Sequence, residues 1–190
     1  MDPSEAPSGG AAGAERAAIA LGSNLGDRCA NLDGAVARLA ASPGIRLLAR
    51  SAWHWSAPVG PPQPDYLNGC AVLETSLTPE ALLDRLLAIE RQFGRVRGER
   101  WGPRTLDLDL IFFGQRRLRS ARLEIPHPCL RERAFVLEPL AEIAPGWSDP
   151  VTGLSVAQLA DALRSGPSPA DWQPGSRCCD AANAADQEAT

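Results

Sequence analysis

Arg100-Trp101-Gly102-Pro103-Arg104-Thr105-Leu106-Asp107-Leu108-Asp109-Leu110-Ile111-Phe112-Phe113 runs from an arginine-rich loop into an apolar segment that carries two acids one residue apart. A strand alternates its faces with period two, so Asp107 and Asp109 share one face while Leu106, Leu108 and Leu110 share the other. Taken alone, Asp-x-Asp describes a solvated strand face well enough. The apolar residues around it argue for a central, well-buried strand, where unpaired acids are costly. Two carboxylates on one face repel each other unless a cation sits between them, and hard oxygen donors favour Mg²⁺, which takes one or two carboxylates plus substrate phosphates. Upstream, residues 91 to 104 hold five arginines (Arg91, Arg95, Arg97, Arg100, Arg104) against the single Glu99, a local cation excess that complements phosphate.

Composition narrows the chemistry further. At 190 residues and 44 % hydrophobic content the chain can bury one good core. The net charge of −4 argues against a general nucleic-acid binder. No apolar stretch approaches the ~20 residues of a membrane span, and no basic segment followed by an apolar one opens the chain, so a cytoplasmic protein is expected. All 19 basic residues are arginine. Without lysine there is no P-loop lysine and no Schiff base, and any phosphate must be held by arginine, backbone or metal. Cys29, Cys70, Cys129, Cys178 and Cys179 lack metal-ligand spacing and read as reduced thiols.

Residues 1–15 and 165–190 are small, polar and rich in Pro and Gly, and are expected to be disordered tails around one domain at 16–164. Arg16 to Leu21 reads as a buried strand. The turn-rich Gly22-Ser23-Asn24-Leu25-Gly26-Asp27 leads into a helix with Leu32, Ala35, Val36 and Leu39 on one side, stopped at Pro43-Gly44. A second strand is expected over Ile45–Trp55, then a proline-rich loop at 56–65 and a third strand over Tyr66–Thr75. Thr78-Pro79-Glu80 starts a helix whose buried stripe is Leu82, Leu86, Ile89 and Phe93, with Glu90 facing elsewhere. After the Asp-bearing strand come a turn at Gly114-Gln115, an edge strand near Leu118–Ile125, and short helices around Phe135–Leu140 and Ser155–Leu163. The order β-α-β-β-α-β predicts an α+β, ferredoxin-like antiparallel sheet flanked by helices in three α/β/α layers.

Four motifs in order carry a family resemblance. Gly22-Ser23-Asn24-Leu25-Gly26; Pro58-Val59-Gly60 with Pro64-Asp65-Tyr66-Leu67-Asn68; Arg100 to Asp109; and Pro126-His127-Pro128 with Arg133-Ala134-Phe135-Val136-Leu137-Glu138-Pro139-Leu140 together resemble 6-hydroxymethyl-7,8-dihydropterin pyrophosphokinase of folate biosynthesis, over roughly residues 17 to 163. The resemblance implies transfer of pyrophosphate from ATP to the hydroxymethyl oxygen of the pterin, with release of AMP. It implies that Asp107 and Asp109 hold two Mg²⁺ ions, and that Arg95 and Arg104 act on the transferring group. Glu90, Arg97, Arg100, Trp101, Arg122, His127 and Arg133 match nucleotide-side positions, in part on a loop that closes over the site. Ser56, Val59, Tyr66, Asn68 and Phe135 match the pterin pocket, where an amide edge and an aromatic face suit a flat heterocycle. Leu87 and Pro128 depart from the pattern of some members.

Two other classes fit the same fold. An RNA-recognition module needs exposed aromatics and a basic sheet face, and one tyrosine, four phenylalanines and acids on the expected central strand offer neither. Another Mg²⁺-dependent phosphoryl or pyrophosphoryl transferase with a different acceptor is the second enzyme class, and AMP formation that depends on hydroxymethyldihydropterin, as against ADP formation, separates the two readings. A monomer acting on small molecules is expected, with neither nucleic acid nor membrane as partner.

Overall fold

The structure, a computed structural model, describes residues 13–58, 60–95 and 102–165. Val59, Arg97, Arg100 and Trp101 therefore lie outside the described residues, as do 1–12 and 166–190 of the two expected tails. The chain forms β1 (Glu15–Ser23), α1 (Arg28–Ala40), β2 (Ile45–Arg50), β3 (His54–Ser56), β4 (Tyr66–Thr75), α2 (Pro79–Gln92), β5 (Asp107–Phe113), β6 (Leu118–Arg119), β7 (Glu124–Ile125), a 3₁₀ turn (Leu130–Glu132), α3 (Ala134–Ile143) and α4 (Val156–Ser165). The helix starts follow from the residues there: Asp27 caps α1 by accepting from the Ala30 N–H, and Thr78 caps α2 by accepting from the Ala81 N–H with Pro79 at the first helical position.

The main sheet runs β2-β4-β1-β5, antiparallel at each of these pairings, with β3 added against Tyr66–Asn68 of β4. This is the ferredoxin-like arrangement in three layers. Leu32, Leu39, Leu82 and Leu86 of α1 and α2 pack with Ile19, Leu21, Leu108 and Leu110 on one face. Val136, Leu137 and Leu140 of α3, with Val156 and Leu159 of α4, pack with Ala18, Cys70, Ile111 and Phe112 on the other.

Three expectations need correction. β5 is buried but terminal, not central. Its apolar character survives at the edge because layers cover both faces and the chain after β7 closes the outer side, where the His127 N–H donates to the Ile111 carbonyl (3.0 Å). Instead of one strand from Ile45 to Trp55 there are two, β2 and β3. At the break Ser51 Oγ takes the place of a ladder acceptor for the Cys70 N–H (2.9 Å), and the Trp53 ring lies over Gly69, where a Cβ would come within 2.4 Å of it. The expected edge strand near Leu118–Ile125 is a separate two-stranded hairpin, β6 with β7.

Beyond α3, Asp149 is fully buried. It accepts two bonds from Arg131 (2.7 and 2.9 Å) and one each from the Val151 N–H and the Thr152 hydroxyl, which ties the 149–154 loop to the 3₁₀ turn.

Candidate active site

The pairing register builds the site as rows across three strands. Gly22 of β1 is paired with Asn68 of β4 on one side and Asp107 of β5 on the other; one step along, Ala20 is paired with Cys70 and Asp109. Residues in register share a face, and this one is turned toward α3 and α4, because Ala18, Cys70 and Ile111 of the same phase belong to that core. Small residues on β1 thus leave a trough between an amide on β4 and two acids on β5. Gly22 keeps the trough open: a Cβ would crowd Asn68 Oδ1 at 3.0 Å and touch the Tyr66 ring at 3.7 Å and the Asp107 Cβ at 4.0 Å.

On the β4 side, Tyr66 pairs in register with Ser56, and the Asn68 side-chain amide donates to Ser56 Oγ (2.7 Å). Asn68 is buried, and burial raises the Tyr66 hydroxyl above its ordinary pKa. Phe135 enters from the start of α3, partly buried against the second core, with the Arg133 guanidinium 5.7 Å from its ring centre.

On the β5 side each acid has its own cations, so the mutual repulsion expected of the pair is offset within the protein. Asp107 Oδ1 receives Arg95 Nη1 at 2.8 Å and Arg104 Nη1 at 3.0 Å. Asp109 Oδ2 receives Arg133 Nη1 at 3.0 Å, with His127 Nε2 at 3.9 Å. Burial works against ionisation of Asp109, but the facing His127 and Arg133 more than offset it and hold its carboxyl below the ordinary range. Burial also pushes His127 down, toward its neutral form. In that form the Cys129 N–H donates to Nδ1 (3.2 Å), which leaves the proton on Nε2, the nitrogen nearest Asp109. Arg133, which keeps its charge, is then the partner that holds Asp109 ionised at neutral pH.

Glu90 differs most from its sequence reading. An acid off the apolar stripe reads as a solvated helix residue, yet Glu90 is 2 % exposed. The end of α2 explains it. Gly94, with φ of +73°, turns the chain so that the Gly94 N–H bonds to Arg91 O and the Arg95 N–H to Glu90 O. Arg95 folds back, and its guanidinium bridges Glu90 and Asp107. Glu90 Oε1 also accepts from the Leu108 N–H (2.7 Å), so a single carboxyl joins the helix end to the Asp-bearing strand.

Burial pushes the Glu90 carboxyl up to about 8 from its ordinary 4.5, with the Arg95 charge opposing. A folded pKa above the unfolded one means that the native state holds a proton the unfolded chain releases. The stability from neutral Glu90 is therefore complete below about 4.5 and lost as the pH rises through about 8. Melting temperatures of wild type and Glu90→Gln, which stays neutral, should diverge across that window as wild type alone falls. Parallel curves would reject the assignment.

Arg122 is not among these groups. It pairs with Asp84 of α2 (2.5 Å), and both side chains are more than half exposed. His54, read from sequence as structural, faces Glu142 of α3. Sequence reasoning gave no role to Asn24, which is fully buried and bonded to residues on both sides of the site. It stands in the Gly22–Gly26 motif, but nothing in the sequence ties it to residues 64 and 104.

Comparison with known proteins bears on the same region. The model for 7,8-dihydro-6-hydroxymethylpterin-pyrophosphokinase matches residues 18–145. The 2-amino-4-hydroxy-6-hydroxymethyldihydropteridine pyrophosphokinase of Synechocystis is 57 % identical over 145 residues, covering 76 % of this chain and 74 % of the relative. Its namesake from Methylorubrum extorquens is 51 % identical over 131 residues, 68 % of this chain and 83 % of that one. Among solved structures, Plasmodium falciparum HPPK-DHPS with pterin and p-hydroxybenzoate superposes with a TM-score of 0.62 at 13 % identity. The match covers 78 % of this chain and only 43 % of the parasite chain, and it speaks to the fold alone. At this level of identity, and with a family match that runs from β1 to the end of α3, the chain belongs to the 7,8-dihydro-6-hydroxymethylpterin-pyrophosphokinase family.

Proposed function

We propose that the protein transfers pyrophosphate from ATP to the hydroxymethyl oxygen of 6-hydroxymethyl-7,8-dihydropterin and releases AMP. The observation that carries the reading beyond family membership is the row Asn68–Gly22–Asp107, which sets an amide edge and a carboxylate pair on one face with a gap of side-chain-free backbone between them. The pterin would lie on the β4 side of that row, its amide edge against Asn68 and its ring against Phe135 and Tyr66, with Ser56 holding the Asn68 amide in place. Val59 is assigned to the same pocket by resemblance.

The donor set fits divalent metal. Asp107 and Asp109 are both on the triphosphate side of the row, and hard carboxylate oxygens with few further protein ligands suit Mg²⁺, whose remaining sites phosphate and water would fill. Two Mg²⁺ ions bound there would supply neutralisation of the phosphate oxygens and a shared template for the attacking and leaving groups. The arginines do the rest. Arg95 and Arg104 already stand on the Asp107 carboxylate and would turn their forked donors to the transferring group as its negative charge redistributes. Arg133 keeps Asp109 ionised and, with His127, borders the nucleotide side, with Arg97, Arg100, Trp101 and Arg122 assigned there by resemblance. Glu90, turned inward, acts by holding Arg95.

No helix among the described residues is long and apolar enough to cross a membrane. The reading is of a cytoplasmic monomer that acts on small molecules.

An assay with ATP and Mg²⁺, with and without hydroxymethyldihydropterin, decides the reaction. AMP release that depends on the pterin is the expected result, whereas ADP release would assign the protein to simple phosphoryl transfer.

A further inference from the structure

Asn24 follows β1 and is fully buried, and every polar atom of its side-chain amide is engaged. Nδ2 donates to the Pro64 carbonyl (3.1 Å) and to Gln63 Oε1 (2.9 Å), while Oδ1 accepts from the Arg104 N–H (2.7 Å). The Asn24 N–H in turn donates to the Arg104 carbonyl (3.1 Å). The Arg104 N–H and the Pro64 carbonyl are backbone groups that cannot exchange roles, so they fix which way the amide points.

The two segments joined in this way lead to opposite ends of the row. Pro64 lies two residues before Tyr66, where β4 begins beside Ser56. Arg104 lies three residues before Asp107 and reaches it through its own guanidinium. The Arg104–Thr105 segment has further anchors, since Thr105 O accepts from Ser23 Oγ (2.6 Å) and Asn31 Nδ2 (3.1 Å).

We infer that Asn24 is a positioning residue that couples the two substrate subsites: order imposed on residues 63–66 by the pterin is passed through the Asn24 amide to the backbone of Arg104, and the reverse when nucleotide occupies the Asp107 side. The inference rests on the pterin pyrophosphokinase reading, which supplies the two ligands. A group shared by two segments lets the ligand that orders one lower the ordering cost of the other, so the effect belongs in the linkage between ligands as well as in the affinity for either.

The test is calorimetric titration of 6-hydroxymethyl-7,8-dihydropterin with and without saturating Mg²⁺ and α,β-methylene-ATP, in wild type, Asn24→Asp and Gln63→Ala. In Asn24→Asp the acceptor for the Arg104 N–H remains but both donors are lost; Gln63 can turn its amide to compensate, and the Pro64 carbonyl cannot. Wild type is expected to bind the pterin ~10-fold or more tightly when nucleotide is present. The ratio should fall to within ~2-fold of unity in Asn24→Asp and by an intermediate factor in Gln63→Ala, which removes one of the two acceptors of the Asn24 amide. A purely structural Asn24 would lower melting temperature and leave the ratio unchanged. A wild type without linkage, or variants that keep the wild-type ratio, would overturn the inference, while failure of the underlying reading appears separately as wild type that releases no AMP.

Discussion

Asp109→Ala should lower kcat by ~10³-fold or more, and Asp107→Asn by a comparable factor, because each removes a carboxylate proposed to hold the metal that neutralises the transferring group. The stability effect is the opposite of what charge repulsion between two acids would give. Asp107 already carries Arg95 and Arg104, and Asp109 carries Arg133, so removing either acid strands a cation instead of relieving repulsion. Asp109→Ala is the more costly of the two, since it uncovers both Arg133 and the buried His127, and its melting temperature should fall by a few degrees. Turnover with Mg²⁺ and thermal unfolding without it give the two readouts. Near-full Mg²⁺-dependent turnover in either variant rejects the metal assignment.

Arg95→Ala should lower kcat by ~10²-fold or more with ATP affinity nearly unchanged, because its contact with the transferring group forms mainly as charge develops there. An exposed arginine without that role would change neither constant by more than ~2-fold. The resting contacts add a confounding route, since Arg95 bridges Glu90 and Asp107 and its loss leaves the buried Glu90 carboxyl without that partner. The double variant Arg95→Ala/Glu90→Gln separates the two. Recovery of kcat would mean the loss came through stranded Glu90; an unrecovered kcat places the effect on the reacting phosphate.

The Asp107/Asp109 face, the helix caps at Asp27 and Thr78 and the β-α-β-β-α-β order were legible because each rests on local spacing, and local spacing is what a strand or helix repeats. Strand position within the sheet was not. The apolar run of β5 reports that both faces are covered, and says nothing of whether a strand or the segment around His127 closes its side. The break after Arg50 was hidden because the alternation of Ile45, Leu47, Ala49, Ser51, Trp53 and Trp55 continues through it; the cause is a contact with Gly69 on another strand. Glu90 and Asn24 were hidden for the same reason. Their burial depends on partners far along the chain, Leu108 for one and Arg104 for the other, and no periodicity records those.

One irregularity of β5 also bears on how freely this strand can vary. Ile19 is opposite Leu110 and Ala18 opposite Phe112, so Ile111 is an inserted residue, and Ile111 and Phe112 both point to the α3 and α4 layer. The strand is therefore written in two phases, one setting the acids and the other setting Phe112 and Phe113. Deleting one residue between Asp109 and Phe112 would remove the insertion and restore plain alternation, which with the phenylalanines anchored in their cores leaves the acids on the α3 and α4 side. A regular strand would exchange its polar and apolar faces on losing a residue; here the bulge absorbs the loss, so the acids and the phenylalanines can each keep their side.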